Sequence, residues 1–321
     1  MKKLVCAAAL VLGCSTVSGV AADLDKKKLV KAPAPVVSPW DIAFGAAIMS
    51  DYNFRGITQS NHKPSVAAYF EPRYNFNDSL QGYLGLSSES ISFPNRAAAE
   101  VDFYGGIRPT FGKLALDFGA WEYWYPGGQC FNALVPGDCA DDGNLPNGNV
   151  IKKDLSFWEL YGKATYTVND QFSFGGSVFW SPSVLNSGAD GTFVAGTAKY
   201  VLPTVLPNNI GWFLSADVGH WFLGTSDSFY GIPGTPVAAG IPYKSYTTWD
   251  VGVAFTWKQF TLDLRYYDTD LNKGDCNAFT SDHTASGSFF TTANQFGPAS
   301  NWCSAAFIAK LSVDLTAANL K

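Results

Sequence analysis

The stretch from Trp40 to Gln59, WDIAFGAAIMSDYNFRGITQ, constrains the fold more than any other part of the chain. Alternate positions carry apolar or aromatic side chains, namely Trp40, Ile42, Phe44, Ala46, Ile48, Tyr52 and Phe54. The positions between them include the charged residues Asp41, Asp51 and Arg55. A period of two predicts a β-strand with one apolar and one mixed face. Aromatic residues near both ends of the apolar face are typical of a strand whose outer side contacts lipid.

The composition favours an all-β protein. Aromatic residues make up 15% of the chain and charged residues 15%, well below the usual quarter. The mean hydropathy of +0.01 is too low for a helical membrane protein. The 321 residues suffice for one large barrel or two ordinary domains. A secreted soluble β-protein is the alternative to an outer-membrane protein.

Residues 1–22 have the features of a secretory signal peptide. Two lysines precede an apolar core at residues 4–12, and small residues at 20–22 form a cleavage site before Asp23. A competing interpretation is lipidation of Cys14 in the sequence VLGC. Residues 23–38 are polar and then Pro-rich, which predicts a flexible periplasmic segment. The barrel itself would then occupy residues 39–321.

The same alternation recurs along the chain and predicts about twelve strands. After the first stretch, the predicted strands are Ser65–Phe76, Leu80–Ser88, Glu100–Phe111, Leu114–Trp124, Ser156–Val168, Phe172–Trp180, Phe193–Leu202, Ile210–His220, Thr247–Trp257, Phe260–Asp268 and Ala305–Leu315. Short links alternate with long ones, as periplasmic turns and extracellular loops do in outer-membrane barrels. We therefore expect a single closed antiparallel transmembrane β-barrel with both termini in the periplasm.

Four cysteines remain after the signal peptide, and all of them fall in predicted external loops. They are Cys130, Cys139, Cys276 and Cys303. In an oxidising compartment, the simplest pairing is Cys130 with Cys139 and Cys276 with Cys303. The sequence leaves the other two pairings open. The spacings do not form the paired C-x-x-C hooks of a zinc site, so no metal ligands are assigned.

Strand parity assigns most charged residues to the inward face, since a charge facing lipid is costly. Eleven acids and six bases fall there, and most of them are expected to line a pore. The pore-lining set is Asp51, Arg55, Glu71, Arg73, Glu100, Asp102, Arg108, Asp117, Glu159, Lys163, Asp217, Asp250, Asp263 and Arg265, and the same face receives Asp41, Glu122 and Lys199. The turn at Gly112-Lys113 sets a register that places Arg108 opposite Asp117.

Two functions compete for this polar interior. In the first, it is a narrow aqueous channel for small hydrophilic solutes, and its acidic excess favours cations. In the second, the charges interlock as a polar core, and the protein is a structural or adhesive barrel with a plugged lumen. About twelve strands lie between the filled barrels of eight and the open channels of sixteen. Several aromatic residues are expected to narrow the outer half of the lumen: Trp121, Tyr123, Tyr161, Phe179 and Trp221.

An enzyme is not expected. His220 is the one histidine with outward parity in a strand, but no outward serine on a neighbouring strand matches it. No phosphate-binding loop or nucleophile elbow is present. The acids Asp138, Asp141 and Asp142 could hold Ca²⁺, although they lack the rest of an EF-hand pattern. No cofactor is expected, and the acidic chain, with a formal charge of −5, does not predict nucleic-acid binding.

Four segments resemble motifs of the TorF family of proposed porins. They are SDYNFRGITQS (50–60), AEVDFYGGIRP (99–109), FWELYGKATY (157–166) and YTTWDVGVAF (246–255). The resemblance covers most of the mature chain in the same order, and the first motif is the most specific. It implies an outer-membrane barrel with porin activity, without a defined substrate or catalytic residues. Many outer-membrane barrels end on an aromatic residue, whereas this chain does not, so its C-terminus lacks that signal for the closing strand.

The expected location is therefore the outer membrane of a Gram-negative bacterium. The expected partners are outer-membrane lipid, small hydrophilic solutes and the outer-membrane assembly machinery.

Overall fold

A computed structural model of the chain describes residues 39–129, 145–204, 206–295 and 297–320. The predicted signal peptide and the segment 23–38 lie outside the described residues. So do Cys130, Cys139 and the acidic loop residues at 138–142.

The described chain is nearly all strand. Its elements are β1 (Trp40–Met49), β2 (Asn53–Phe54), β3 (Ile57–Thr58), β4 (Ser65–Asn77), β5 (Leu80–Glu89), β6 (Glu100–Phe111), β7 (Leu114–Trp124), β8 (Phe157–Thr167), β9 (Phe172–Ser181), β10 (Gly191–Val201), β11 (Gly211–Leu223), β12 (Tyr246–Trp257), β13 (Phe260–Thr269), α1 (Lys273–Thr280) and β14 (Ala306–Thr316). Short 3₁₀ turns lie at Val184–Asn186, Pro207–Asn209 and Ala317–Leu320.

Twelve of these strands form a closed antiparallel barrel, which confirms the predicted fold. From β4 to β14, each strand pairs with the one that follows it in sequence, and β1 closes the barrel by pairing with both β4 and β14. The register of the closing pair places Phe44 opposite Leu315. The last strand is therefore formed within one residue of its predicted bounds, despite the missing terminal aromatic residue.

The connections are sorted by length between the two ends of the barrel. Turns at 78–79, 112–113 and 258–259 join strands at one end, whereas the links at the other end include 50–64, 90–99 and 270–305. We call the end with the long links the outer end. Among the described residues, no helix has both the length and the hydropathy needed to cross a bilayer.

The outer wall of the barrel is apolar along most of its height. Large apolar side chains on this wall are exposed in every strand of the barrel, for example Ile48, Val66, Leu84, Phe103, Phe118, Trp158, Val178, Val194, Val218, Val251, Leu264 and Phe307. The side chains between them point into the lumen, where they are buried or half-buried. An exposed apolar belt around a closed barrel is typical of a β-barrel that spans a membrane. The parity rule therefore holds for the strands of the barrel.

The predicted continuation of the first strand through Phe54 is wrong beyond Met49, where β1 ends. Tyr52 and Phe54 were expected to face lipid, but the chain turns into the lumen and Tyr52 is buried. Together, β2 and β3 form one tight hairpin. Its two turn residues, Arg55 and Gly56, have positive φ values of 50° and 84°. Positive φ at both positions is the requirement of a type I′ turn.

The inward assignment of Glu122 is also wrong. On β7 the buried residues are Asp117, Trp121 and Tyr123, so Glu122 points outward. It lies near the outer end of the strand, next to Trp158 of β8. A carboxylate is tolerated there because the cost of a lipid-facing charge falls toward the membrane interface.

The last outer loop is held by a disulfide bond between Cys276 and Cys303, which confirms one of the two predicted bridges. Cys276 lies on α1, whose first turn is capped by Asn272. In the same helix, Phe279 packs against Trp221 inside the mouth of the barrel. The loop is therefore fastened both to itself and to the lumen.

We expect the double substitution Cys276→Ser/Cys303→Ser to loosen this loop without unfolding the barrel. A disulfide closing a loop of this size stabilises by about 2–4 kcal/mol. Hydrogen exchange should show faster exchange at residues 270–305 and unchanged exchange in the strands. Equal protection of the loop in both proteins would contradict this role.

Candidate functional site in the lumen

The first outer loop, residues 50–64, crosses the lumen. It leaves the wall between β1 and β4, and its tip reaches strands on the opposite side of the barrel. At the tip, the guanidinium group of Arg55 lies over three aromatic rings of the far wall, at 4.9 Å from Phe179, 4.4 Å from Phe193 and 4.4 Å from Trp221. The loop therefore spans the opening that the sequence predicted to be a channel.

Arg55 is fixed by a two-pronged ion pair with Glu159 of β8. Its two terminal nitrogen atoms lie 2.8 and 2.7 Å from the two carboxylate oxygen atoms. The side chains of Arg55 and Glu159 are 3% and 0% exposed. Tyr123 also donates to Glu159, at 3.1 Å. Because the pair is buried, separating the two charges would leave each without compensation.

The backbone of the tip is held as closely as its side chain. The hydroxyl of Tyr246 on β12 donates to the carbonyl oxygen of Arg55 at 2.9 Å. A Cβ atom added to Gly56 would lie 2.3 Å from Thr269 and 2.4 Å from Thr248. Gly56 is therefore required both by the turn and by the close approach to the wall.

The base of the loop is organised by Asp51. One of its carboxylate oxygen atoms accepts hydrogen bonds from Thr58 at 2.5 Å and Ser60 at 2.8 Å. The other lies 3.0 Å from Nδ1 of His62. Next to it, the hydroxyl of Tyr52 donates to Glu100 of β6 at 2.5 Å. These contacts close the loop on itself and fasten it to the wall.

The contact between His62 and Asp51 makes the base of the loop sensitive to pH. The hydrogen bond to Asp51 raises the pKa of His62 above its ordinary value of about 6.5, although partial burial opposes the shift. Because the pKa of His62 is higher in the folded state than in the unfolded state, the contact stabilises the folded loop fully at pH values below the unfolded-state pKa. This stabilisation is lost as the pH rises through the folded-state pKa. We expect the loop to exchange faster at about pH 8.5 than at about pH 5.5, after correction for intrinsic rates.

The effect should be small, below about 1 kcal/mol, because the His62 side chain is 40% exposed. In His62→Gln, which cannot titrate, the corrected exchange of residues 50–64 should not depend on pH over this range. A pH dependence that survives the substitution would assign it to another group.

Two cavities lie on opposite sides of the first outer loop. The outer one, of about 680 Å³, is lined by Phe54 and Ile57 of the loop and by aromatic residues of the other outer loops, including Tyr125, Tyr230 and Trp302. The inner one, of about 510 Å³, is lined by Asp51, Tyr52 and Asn53 of the loop and by wall residues such as Asp263, Arg265 and Lys310. The same loop therefore forms part of the boundary of both.

Charged residues in the lumen are joined in networks. In the first network, Arg108 contacts Glu71 through two bonds of 2.8 and 3.1 Å and Asp117 at 3.3 Å. Arg73 donates to the same Glu71 at 2.5 Å. The ring of Tyr83 lies 3.6 Å from the Arg108 guanidinium group. The predicted pair of Arg108 with Asp117 is thus present.

A second network surrounds Arg265 on β13. Its guanidinium group contacts Asp250 and lies 3.0 Å from Asp263 and 3.8 Å from Asp217. It also donates to Ser215 at 2.6 Å. Three carboxylates thus surround the guanidinium group of Arg265.

The positions of the predicted pore-lining residues divide into two groups. Asp51 and Arg55 belong to the crossing loop. The other members of the set lie in barrel strands and point inward. The five aromatic residues expected to narrow the lumen, Trp121, Tyr123, Tyr161, Phe179 and Trp221, are all buried there.

Several residues that point into the lumen are absent from the predicted set. Glu89 is the last residue of β5, one position beyond the predicted end of that strand. Lys310 and Asp314 lie inside the predicted last strand, so applying parity to it would have found them. Tyr52 was missed because it was assigned to the lipid face.

His220 is on the outer wall, as its parity predicted. Its Nδ1 atom lies 3.0 Å from the hydroxyl oxygen of Thr247, and its ring lies 4.4 Å from that of Phe222. This arrangement is that of a histidine in an aromatic girdle near the end of a strand.

The chain matches a known protein family over most of its length. Residues 33–296 match the family described as bacterial protein of unknown function, Gcw_chp. The chain belongs to this family. No curated protein matches the chain.

Solved barrels align with this Gcw_chp protein over most of its length. An outer-membrane channel from Pseudomonas putida F1 is 14% identical, covers 90% of this chain and 100% of its own, and has a TM-score of 0.39. The NanC porin is 8% identical, with coverage of 86% and 100% and a TM-score of 0.40. OmpT, an outer-membrane protein of Vibrio cholerae, is 12% identical, with coverage of 88% and 100% and a TM-score of 0.35. At these scores, nothing about the function of the Gcw_chp chain is inferred from them.

The four segments that resemble TorF motifs meet in the outer half of the lumen. Tyr52 of the first segment bonds Glu100 of the second, and Arg55 of the first pairs with Glu159 of the third. Tyr246 of the fourth holds the backbone of Arg55. The candidate functional site of this Gcw_chp protein is therefore the first outer loop together with the lumen wall that it contacts.

Proposed function

We propose that this protein is a porin-like passage for small hydrophilic solutes in the outer membrane of a Gram-negative bacterium. The observation that carries the proposal is the pair of cavities in a polar lumen, one on each side of the first outer loop. In this proposal the loop is a closed gate, and solutes pass when it moves. The resemblance to the TorF family supports the same function.

The charges of the lumen set the expected selectivity. The inward acids outnumber the inward bases, and Arg265 faces three carboxylates. A narrow pore with excess negative charge concentrates cations through its focused potential. We therefore propose that small cations and cationic solutes are preferred. The pore-lining residues would be those of the predicted set in the strands, with Asp51 and Arg55 acting in the gate.

We also propose that the protein is not an enzyme. His220, the one candidate considered for lipid hydrolysis, contacts Thr247 and Phe222 rather than a serine nucleophile. The partners of the protein would be outer-membrane lipid around the apolar belt, solutes in the lumen and the outer-membrane assembly machinery during insertion.

The test is single-channel recording in a planar bilayer under a salt gradient. The proposal predicts discrete current steps and a reversal potential on the cation-selective side. Absence of steps would contradict the passage, whereas steps with an anion-selective reversal potential would contradict the charge preference alone.

A structural or adhesive barrel is the second candidate function. It is favoured by the complete burial of the Arg55–Glu159 pair, which suits a permanent plug as well as a gate. In that case neither the native protein nor variants of the loop would conduct, and the outer loops would carry the function.

A further inference from the structure

Three carboxylates meet at the outer ends of β5 and β6. Glu89 lies directly opposite Glu100 in the ladder, and Asp102 is two residues farther along the same face of β6. One oxygen atom from each lies within 4.8 Å of the others. Glu89, Glu100 and Asp102 are 3%, 2% and 3% exposed. Three acids are thus gathered in a space that excludes water.

The negative charge of this cluster is not balanced by an ion pair within the described part of the chain. The two acid-rich networks described above each contain an arginine, Arg108 in the first and Arg265 in the second. Lys310 of β14 attracts Glu89 from beyond ion-pair distance. Like charges brought together away from water repel strongly. A counter-charge is therefore needed inside the cluster.

The hydrogen bonds of the cluster leave two oxygen atoms unsatisfied. Both oxygen atoms of Glu100 accept from phenols, one from Tyr52 at 2.5 Å and the other from Tyr125 at 2.9 Å. One oxygen of Asp102 accepts from Ser87 at 2.9 Å. Oε2 of Glu89 and Oδ1 of Asp102 are buried and accept no hydrogen bond of normal geometry among the described residues, and the indole of Trp121 is the nearby donor to Asp102. Buried carboxylate oxygen atoms normally have a hydrogen-bond donor or a metal ion.

We propose that Glu89, Glu100 and Asp102 bind one divalent cation, with Ca²⁺ as the ion that fits best. Ca²⁺ binds oxygen atoms at about 2.3–2.6 Å, so two ligands on opposite sides of it lie about 5 Å apart. The three carboxylate oxygen atoms lie within 4.8 Å of one another, which is compatible with that span. An all-oxygen donor set disfavours Zn²⁺ and Cu²⁺. Mg²⁺ requires shorter bonds, about 2.0–2.1 Å, and a stricter octahedron.

The bound ion would connect the wall to the first outer loop. Glu100 is the residue that accepts the hydrogen bond from the hydroxyl group of Tyr52. An ion that orders Glu100 also orders this contact and the one with Tyr125, which follows β7. The cation therefore joins the outer ends of β5 and β6 to two outer loops.

The test is titration of the refolded full-length mature protein in detergent with CaCl₂ after removal of metals by a chelator. Isothermal calorimetry should give one Ca²⁺ per chain with a dissociation constant below about 1 mM. Tb³⁺, a luminescent substitute for Ca²⁺, should be sensitised by the nearby Tyr52 and Tyr125 and displaced by Ca²⁺. Mg²⁺ alone should bind at least tenfold more weakly.

Two variants locate the site. Glu89→Gln/Asp102→Asn should bind Ca²⁺ at least tenfold more weakly, and because it removes repelling charges it should remain folded without metal. The single variant Glu89→Gln keeps the test decisive if the double variant does not fold. Asp78→Asn, in the exposed turn at the opposite end of β5, is the matched control and should bind like the native protein.

Binding that is absent from the native protein, or equal in the native and double-variant proteins, would overturn the proposal. In the first case the carboxyl groups would share protons instead of a metal. None of these readouts depends on whether the barrel conducts, so failure here leaves the proposed passage untouched.

Discussion

Replacing Arg55 with alanine should open the lumen. The substitution removes the ion pair that holds the loop tip on the far wall and leaves Glu159 buried without its counter-charge. Breaking a buried pair in this way costs about 3–5 kcal/mol. If that cost falls on the closed state, the closed-to-open ratio shifts by roughly 10²- to 4 × 10³-fold, since about 1.4 kcal/mol corresponds to a factor of ten. Single-channel recording should show more frequent or larger current steps than in the native protein.

Two further variants separate the ion pair from a general loss of charge. Arg55→Ala/Glu159→Gln removes the uncompensated carboxylate, so its open fraction should lie between those of the native protein and the single variant. Arg73→Ala removes a lumen arginine that pairs with Glu71 and Asp41 of the wall, and it should leave the gating unchanged. Identical recordings from the native protein and Arg55→Ala would show that this ion pair does not control the passage.

An arginine placed on the outer wall should destabilise the barrel by an amount that increases with its depth in the bilayer. Val251 lies in the middle of β12 with its side chain 54% exposed, whereas Val66 lies at the outer end of β4 with 56% exposure. Arg facing the centre of a bilayer costs about 2–4 kcal/mol, and about 0–1 kcal/mol near the interface. Val251→Arg should therefore lower the free energy of unfolding in lipid vesicles far more than Val66→Arg.

The two substitutions are matched because both replace an exposed valine with arginine. Reversible unfolding by denaturant in vesicles gives the difference directly. Equal losses at the two positions, or a larger loss at Val66, would mean that the exposed apolar belt does not face the hydrocarbon core.

The strands of the barrel could be predicted from sequence because their two faces meet different solvents. The neighbouring residues Asp250 and Val251 face the lumen and the lipid, respectively. Their alternation alone predicts this, without reference to any other part of the chain. The same rule, combined with the turn at Gly112-Lys113, gave the contact of Arg108 with Asp117. The alternation of short and long links along the chain predicted which end of the barrel carries the long loops.

The first outer loop could not be predicted by the same rule, because apolar residues suit the lipid face and a plugged lumen equally well. Tyr52 and Phe54 continue the alternation of β1 by position, yet they pack inside. The local signal was the Arg55-Gly56 pair, since a glycine with positive φ permits the tight turn. Deciding between a longer strand and an inward hairpin requires the far wall, which lies more than a hundred residues away at Glu159.

The charge networks also could not be predicted from the sequence alone. Parity placed Asp217, Asp250, Asp263 and Arg265 on the inward face, but their contacts depend on the register of three neighbouring strands. The carboxylate cluster was missed for a similar reason. Glu89 lay just past the predicted end of its strand, and its meeting with Glu100 and Asp102 follows from the ladder between β5 and β6.

Locking the loop tip to the far wall tests the central claim most directly. The side chains of Arg55 and Glu159 contact each other across the lumen, so cysteines at these two positions lie within reach of a short, reducible bis-methanethiosulfonate cross-linker. Single-channel currents of Arg55→Cys/Glu159→Cys should be abolished when this cross-link is formed and should return on reduction, with the native protein under the same cross-linker and reductant as control. Undiminished current through the cross-linked barrel would contradict a gate formed by the first outer loop.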